Sequence, residues 1–349
     1  MSSMLADGLG TTDGPPTIAA IAAAAGVSAP TVSKVLNGRP DVAPATRARV
    51  EEVLRELRYR RRPRAAATQQ APLLELVFNE LNAAWSFEII SGVESVASRR
   101  GVGVVLSQLG GSHRTSPDWL EAVLNRRSQG VVLVLSDLGA DQREQLAARS
   151  IPCVVLDAIG ELPAGVPAVG SNNWNGGLSA TRHLLGLGHR RVGMISGPAD
   201  VLCSRARIDG FRSAHAELGL TVDPDLVRFG NFDQAGGYRH GRSLLDRPDR
   251  PTAIFAGSDM QALGVMRAAH ELGLDVPGDL SVIGYDDVPL AAWTLPALTT
   301  VRQPLRAMAE AATRIVLDLA AGHTPPLQRL DLPTELVIRE STAAYTPRE

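Results

Sequence analysis

The stretch from Ala24 to Gly38, AAGVSAPTVSKVLNG, constrains this chain more than any other. Val32, Val35 and Leu36 recur at i, i+3 and i+4, so they share one face of a short helix. Ser28 is placed to cap that helix, accepting from first-turn amides that have no intrahelical partner. Pro30 is tolerated in the same turn because its missing N–H costs no bond there. Just upstream, Gly26 permits the sharp turn that a β-carbon would hinder. Thr17 opens a preceding helix through about Ala25, and Pro44 opens a third to about Arg58, with Val50, Val53, Leu54 and Leu57 as its stripe. The pattern is a three-helix unit built on a helix-turn-helix. With the stripe inward, Ala29, Pro30, Ser33, Lys34 and Asn37 face outward, where a recognition helix meets base edges and phosphates. An ordinary amphipathic helix pair carries the same spacing, so the pattern alone leaves both readings open.

Charge bears on the choice. Residues 17–64 hold ten basic side chains, Lys34 and nine arginines, against Asp41, Glu51, Glu52 and Glu56, a net of +6. The whole chain carries −2, which leaves −8 on everything outside that segment. A basic module on an acidic body is the footprint of a nucleic-acid-binding headpiece. Lys34, on the outward face, is the only lysine in the sequence. Residues 59–72 follow, with Arg61, Arg62 and Arg64 in an Arg/Ala/Gln-rich run. They read as a solvated linker, as a segment that orders along the phosphate backbone, or as both.

From Leu73 the texture changes. Short apolar runs at 73–78, 102–106, 131–135, 153–156, 191–195, 253–255 and 280–284 alternate with helical patterns. This is the βαβ rhythm of parallel sheets covered on both faces, and its length argues for two lobes. Ligands in such folds sit at the carboxyl ends of strands, between lobes in particular. No apolar run approaches the roughly 20 residues that span a bilayer. Residues 1–16 lack the basic-then-apolar pattern of a secretory signal and read as a polar tail. Cys153 and Cys203 form neither a disulfide framework nor a metal-ligand spacing, which fits a reducing cytoplasm. His183 and His189 have no metal partner at useful spacing, and Gly101-Val102-Gly103 lacks the rest of a dinucleotide fingerprint. No cofactor and no metal are expected.

In this order, several stretches resemble the lactose-repressor/galactose-repressor family of bacterial transcription factors. They are Ala25-Gly26-Val27-Ser28 and Thr31-Val32-Ser33-Lys34-Val35-Leu36-Asn37-Gly38 in the headpiece, then Gly186-Leu187-Gly188-His189-Arg190-Arg191 and Arg205-Ala206-Arg207-Ile208-Asp209-Gly210-Phe211 in the body. Val42 and Thr46-Arg47, Pro251-Thr252-Ala253-Ile254-Phe255-Ala256, Val276-Pro277-Gly278-Asp279-Leu280-Ser281-Val282-Ile283-Gly284-Tyr285-Asp286-Asp287 and Pro296-Ala297-Leu298-Thr299-Thr300-Val301 complete the set. The resemblance runs from Thr17 to about Ser341. It implies an α/β chain with an N-terminal helix-turn-helix headpiece at 17–58, a hinge at 59–72, and a two-lobed, periplasmic-binding-protein-like core of parallel sheets at 73–342. Tails are expected at 1–16 and 343–349.

The same resemblance implies a homodimer, with a tetramer left open, whose headpieces enter successive major grooves of a pseudo-palindromic operator. Ala29, Pro30 and Lys34 stand at the family's base-reading positions, while Thr17, Ser28, Thr31, Ser33 and Asn37 suit phosphate contacts that set register. One departure concerns the hinge. Thr68 stands where the family's minor-groove leucine is expected, and no leucine occurs between Leu57 and Leu73. Contact from Arg61, Arg62 and Arg64 to a narrowed minor groove is the expected substitute.

Family members bind a small ligand between the lobes, commonly a sugar. Gripping sugar hydroxyls takes carboxylates and guanidinium groups, with an aromatic face against the ring. By position, Arg207 matches the gripping arginine, Asp286 the accepting carboxylate and Phe232 the stacking aromatic. Ser258 and Asp259 sit at a strand-to-helix turn, Asp157 ends a strand, and Asn82, Trp85 and Ser86 occupy the first lobe's ligand loop. Trp174 and Trp293 lie in loops near the rim. Each has a plainer reading: Asp286-Asp287 as a turn pair, Arg205 and Arg207 as an ion-pair cluster, the tryptophans as core.

The expected function is a DNA-binding regulator, a repressor of carbohydrate-utilisation genes, acting in the cytoplasm on the nucleoid. Its ligand would be a mono- or oligosaccharide, as for regulators of plant-polysaccharide sugars. Two other classes compete. A secreted sugar-binding protein would share the body but needs an export signal and no basic headpiece. A sugar-processing enzyme would need two carboxyl groups roughly 5–5.5 Å apart with one raised pKa, for a retaining mechanism.

Overall fold

The computed structural model describes residues 17–36, 42–57, 72–81, 84–110, 115–160, 162, 165–324 and 326–347. Asn37, Arg61, Arg62, Arg64, Asn82 and the hinge position Thr68 lie outside the described residues, as does the side chain of Leu36. The chain forms two compact units, divided between Gln70 and Ala71.

The first unit holds α1 (Ile18–Ala25), α2 (Ala29–Leu36) and α3 (Pro44–Glu56). Thr17 caps α1 by accepting from the Ala20 amide at 3.2 Å, and Gly26 ends it at φ +61°, the left-handed conformation the turn requires. The axes of α1 and α2 differ by 98°. Ile21, Ala22, Ala25, Val32, Val35, Val50 and Val53 bury together as a small core.

The second unit has two six-stranded sheets. Lobe 1 contains β1 (Leu73–Phe78), β2 (Gly103–Gln108), β3 (Gly130–Val134), β4 (Cys153–Leu156), β5 (Ala168–Ser171) and the late strand β11 (Arg329–Leu332), ordered β11-β5-β4-β3-β1-β2 and all parallel. Lobe 2 contains β6 (Val192–Ser196), β7 (Val227–Phe229), β8 (Ala253–Ala256), β9 (Ser281–Asp286), β10 (Thr299–Arg302) and β12 (Glu335–Val337), ordered β12-β10-β9-β8-β6-β7 with only β12 antiparallel. Helices cover both faces: α4 (Ala84–Arg99), α5 (Pro117–Arg126), α6 (Ala140–Ala147) and α11 (Leu305–Ala320) in lobe 1, and α7 (Asn173–Gly186), α8 (Leu202–Glu217), α9 (Gln234–Leu245) and α10 (Asp259–Glu271) in lobe 2. Fully apolar strands such as β3, GVVLV, are buried on both faces, as a parallel sheet between helix layers demands.

The chain passes between the lobes three times, at β5–α7, β10–α11 and β11–β12. These crossovers are bonded to one another. The Asn172 amide donates to the Leu332 carbonyl at 2.9 Å, and Ser171 Oγ donates to Gln303 Oε1 at 2.5 Å. Close packing of α7 on α8 rests on glycines: a Cβ on Gly177 would stand 2.3 Å from the Arg207 carbonyl oxygen, and one on Gly210 2.2 Å from that of Trp174.

The end of the chain departs from the tail expected after Thr342. The Ala343 amide donates to Ser281 Oγ, and the Tyr345 amide donates to the Leu187 carbonyl at 2.8 Å. His189, buried, meets Thr252, Ser281 and the Ala343 carbonyl, so residues 343–345 form part of lobe 2. Among the described residues no cluster of side chains fits a metal ion, and no single helix is long and apolar enough to cross a membrane.

Candidate reading helix and ligand cleft

In the headpiece, α2 turns Val32 and Val35 into the core and leaves Ser28, Ala29, Pro30 and Lys34 exposed, with Thr31 and Ser33 half-buried. Ser28 Oγ accepts weakly from the Thr31 amide at 3.4 Å and pairs with Thr31 Oγ1 at 2.9 Å. The outward row from residue 28 to residue 34 is thus small, polar or basic, which suits an element that must enter a groove.

The carboxyl ends of the parallel strands enclose a cavity of about 330 Å³ between the lobes. Lobe 1 supplies Asn79, Glu80, Trp85, Leu135 and Asp157, and lobe 2 supplies Arg207, Phe232, Asp233 and Asp286 among others. Gln303 and Leu305, on the second crossover, complete the wall. Leu135, Asp157, Phe232 and Asp286 all have positive φ, of 46°, 54°, 60° and 114°. Non-glycine residues held there are strained, and such strain gathers where side chains must be aimed.

Arg207 lies at the centre, 3% exposed. Its Nε donates to Asn173 Oδ1 at 2.8 Å, and an Nη donates to the Gly257 carbonyl. The guanidinium stacks over the Tyr285 ring at 3.7 Å and lies 5.2 Å from the Phe232 centroid. The Phe232 ring sits where a Cβ on Gly197 would be, 2.1 Å away, so that glycine admits the aromatic. Burial pushes the Tyr285 phenol well above its ordinary range, and its hydroxyl finds no partner among the described residues.

Two carboxylates flank the arginine. Burial pushes Asp286 up to about 7, against the lowering influence of Arg207 and of a 2.6 Å hydrogen bond from Gln303 Nε2; Asp157 adds to the rise. Burial also pushes Asp157 up to about 6, again opposed by Arg207 and assisted by Asp331. Asp157 accepts no side-chain hydrogen bond from any described residue. The neighbouring Asp287 has a different fate: Arg302 Nε and Arg339 Nη2 clasp it at 2.7 and 2.6 Å, outside the cavity wall. Cys203 lines the cavity with its thiol pushed up to about 11 by burial, so it stays protonated and inert.

The structure therefore brings together Trp85, Asp157, Arg207, Phe232 and Asp286. Ser258 stands behind them, donating to the Phe232 carbonyl at 2.8 Å while capping α10. Asp259 is also behind the wall, accepting from the Val288 amide at 2.9 Å and from Thr300 Oγ1; burial and the Asp286 charge hold its carboxyl well above the usual range. Ser86 is buried in α4 beside Trp85 without a hydrogen-bond partner among the described residues, and Trp85 packs on Phe78 with centroids 5.9 Å apart. Trp174 and Trp293 are outside this cavity, the latter 82% exposed. Arg205 faces solvent. Asn79, Glu80 and Gln303 also line the cavity, beyond the residues that the family resemblance assigns to the ligand. Gln303 carries no motif; its position after β10, a strand too short to notice, is what brings it to Asp286.

Residues 17–62 match the family described as bacterial regulatory proteins, lacI family, and residues 181–342 match a periplasmic binding protein-like domain. The HTH-type transcriptional regulator MalR of Streptomyces coelicolor is 37% identical over 336 residues, covering 94% of this chain and 96% of MalR. The chain belongs to the lacI family of bacterial regulatory proteins. Among solved structures, a transcriptional regulator CelR–cellobiose complex is similar at 33% identity with a TM-score of 0.68, covering 93% of this chain and 99% of that one. A lac repressor dimer bound to operator and the anti-inducer ONPF is similar at 27% identity and the same TM-score, covering 95% and 100%. As a lacI-family member the protein is a DNA-binding transcriptional regulator rather than an enzyme, working in the cytoplasm where bacterial DNA lies. The secreted and catalytic alternatives fall with that membership.

Proposed function

We propose that this lacI-family regulator is a repressor of carbohydrate-utilisation genes whose operator affinity is set by a small, uncharged sugar held between its lobes. The observation that carries this reading is Arg207, stacked on aromatic rings and flanked by Asp157 and Asp286, with hydroxyl-gripping groups reaching the cavity from both lobes. Among the described residues, Glu80, Asp157, Asp233 and Asp286 line the cavity against one guanidinium, that of Arg207, a balance that disfavours phosphorylated or acidic ligands. The CelR relative is complexed with cellobiose, which agrees with that chemistry.

The groups that grip the ligand also bond to the crossovers. Arg207 reaches Asn173 on the first, and Asp286 reaches Gln303 on the second, which in turn accepts from Ser171. Ligand contacts at these two side chains therefore bias the inter-lobe angle, by no more than the ligand's differential affinity for the two states. On this reading Thr17, Ser28, Thr31 and Ser33 contact phosphates and Ala29, Pro30 and Lys34 meet base edges; the exposure of Thr17, Ser28, Ala29, Pro30 and Lys34 supports it.

The protein acts as a homodimer on a pseudo-palindromic operator within the nucleoid, as the lac repressor dimer is bound to its operator. Leu290, Trp293 and Leu295, exposed within six residues of chain, are apolar enough for a second copy to cover, so Trp293→Asp should yield monomers in sedimentation. The test of the function is fluorescence anisotropy of a labelled duplex from the gene's own upstream region, at fixed salt, against the full chain. Specific binding released by a neutral sugar, and indifferent to sugar phosphates, is the expected result. Specific binding that no neutral sugar alters would refute the sugar reading.

A further inference from the structure

Asp157 also faces away from the cleft. On the far side of that residue is a second cavity of about 290 Å³, lined by the carboxyl end of β4, the whole of β5, Arg329 and Asp331 of β11, and the first turns of α7 and α8. Asp157 and Cys203 line both cavities, so the two are neighbours along one edge of the lobe 1 sheet. The chemistry of the first cavity recurs in the second: an aromatic ring, Trp174, 41% exposed; a carboxylate, Asp331; and a guanidinium, Arg329, whose Nε lies 2.8 Å from Asp331 Oδ2. Between Asp157 and Asp331 lies Gly170, where a Cβ would stand 2.9 Å from Asp331 Oδ1 and 3.5 Å from Asp157 Oδ1. The two carboxylates thus converge over bare backbone.

We propose that this second cavity is a further subsite, taking the next unit of a neutral oligosaccharide whose first unit lies between Arg207, Asp286 and Phe232. The inference rests on the sugar reading of the first cavity. Each cavity by itself lies near the lower edge of the roughly 300–1,000 Å³ typical of ligand pockets, so each has room for a pyranose ring. Asp157, with no hydrogen-bond donor among the described side chains, stands at the junction, where hydroxyls of either unit can donate to it. Trp174 offers the second ring an apolar face, and the Arg329–Asp331 pair supplies both a donor and an acceptor at its rim. Trp174 also follows Asn173, the crossover residue bonded to Arg207, so occupation of the second subsite bears on the same hinge as the first.

The experiment is titration calorimetry of the full chain with mono-, di- and trisaccharides of the gluco-, malto- and xylo-series. In the series that binds, affinity should rise roughly tenfold or more on passing from one unit to two or three. That step should vanish in Trp174→Ala and in Asp331→Asn, and persist in Trp174→Phe, which keeps an aromatic face. A monosaccharide that binds as tightly as its oligomers, or a chain-length step that survives in both Trp174→Ala and Asp331→Asn, would overturn the second subsite and leave the first intact. Failure of every sugar to bind the wild type would overturn the sugar reading and this inference together.

Discussion

Lobe 1 and lobe 2 are both six-stranded sheets between helix layers, and their strands are ordered alike, yet they hold the cleft's charges in opposite ways. In lobe 2, Arg207 is tied to Asn173 and Gly257 and stacked on Tyr285, and Asp286 accepts from Gln303. In lobe 1, Asp157 faces the cavity with no side-chain donor among the described residues. Lobe 2 is a grip already assembled; lobe 1 holds an acceptor waiting for its donor. A ligand that binds lobe 2 first and then satisfies Asp157 favours the angle at which both contacts are made. On the proposed sugar reading, this asymmetry supplies the differential affinity that any switch needs.

Removing the assembled grip of lobe 2 should have the largest effect. Arg207→Ala removes charge-assisted hydrogen bonds worth about 1.5–3 kcal/mol each, so sugar affinity by calorimetry should fall roughly 100-fold. A loss of only two- or threefold would put the grip elsewhere. Gln303→Ala removes the side-chain link between Asp286 and the crossover and should lower the sugar-induced change in operator affinity about tenfold, more than it lowers sugar binding itself. Equal losses in both would mean that Gln303 acts only on the ligand. Asp157→Asn keeps a hydroxyl acceptor without charge, and should weaken sugar binding about fivefold while leaving operator binding without sugar unchanged.

Protons give the mildest probe. In the folded protein Asp157 and Asp286 hold their protons to about 6 and about 7, against 3.8 for an ordinary aspartate. Across that window the folded state binds more protons than the unfolded, so stability without sugar falls as pH rises from 3.8 towards 7. Sugar affinity moves the other way between pH 6 and 7, because an ionised carboxylate accepts the stronger hydrogen bond. Urea denaturation and calorimetry over this range check both signs, and Asp286→Asn should flatten the upper part of each curve.

How much of this was legible in the sequence depends on whether a residue's partner is near in the chain. Thr17, Gly26 and Ser28 act on atoms within a few residues, and the helix-turn-helix emerged where it was read. The strands at Leu73–Phe78 and Cys153–Leu156 fall at the expected residues because their apolar runs are sharply bounded. By contrast β5, β7, β10, β11 and β12 are three or four residues long, and their identity comes from the neighbours they pair with. Missing β5, β10, β11 and β12 meant missing the crossovers, and with them Asn173 and Gln303. The paired aspartates could not be told apart either, since Arg302 and Arg339 reach Asp287 from elsewhere in the chain. Residue type marked Arg207, Asp157 and Asp286, and only the folded sheet edge separates them from Asp259 and Trp293.

If a sugar held by Arg207 between the lobes controls operator affinity, removing that side chain uncouples the two. The most direct test is operator affinity at one salt concentration, with and without saturating sugar, for wild type beside Arg207→Ala. The expected change lies within the roughly 5–150-fold range of ordinary allosteric coupling in the wild type and is absent in the variant. The same change in both proteins would contradict that coupling.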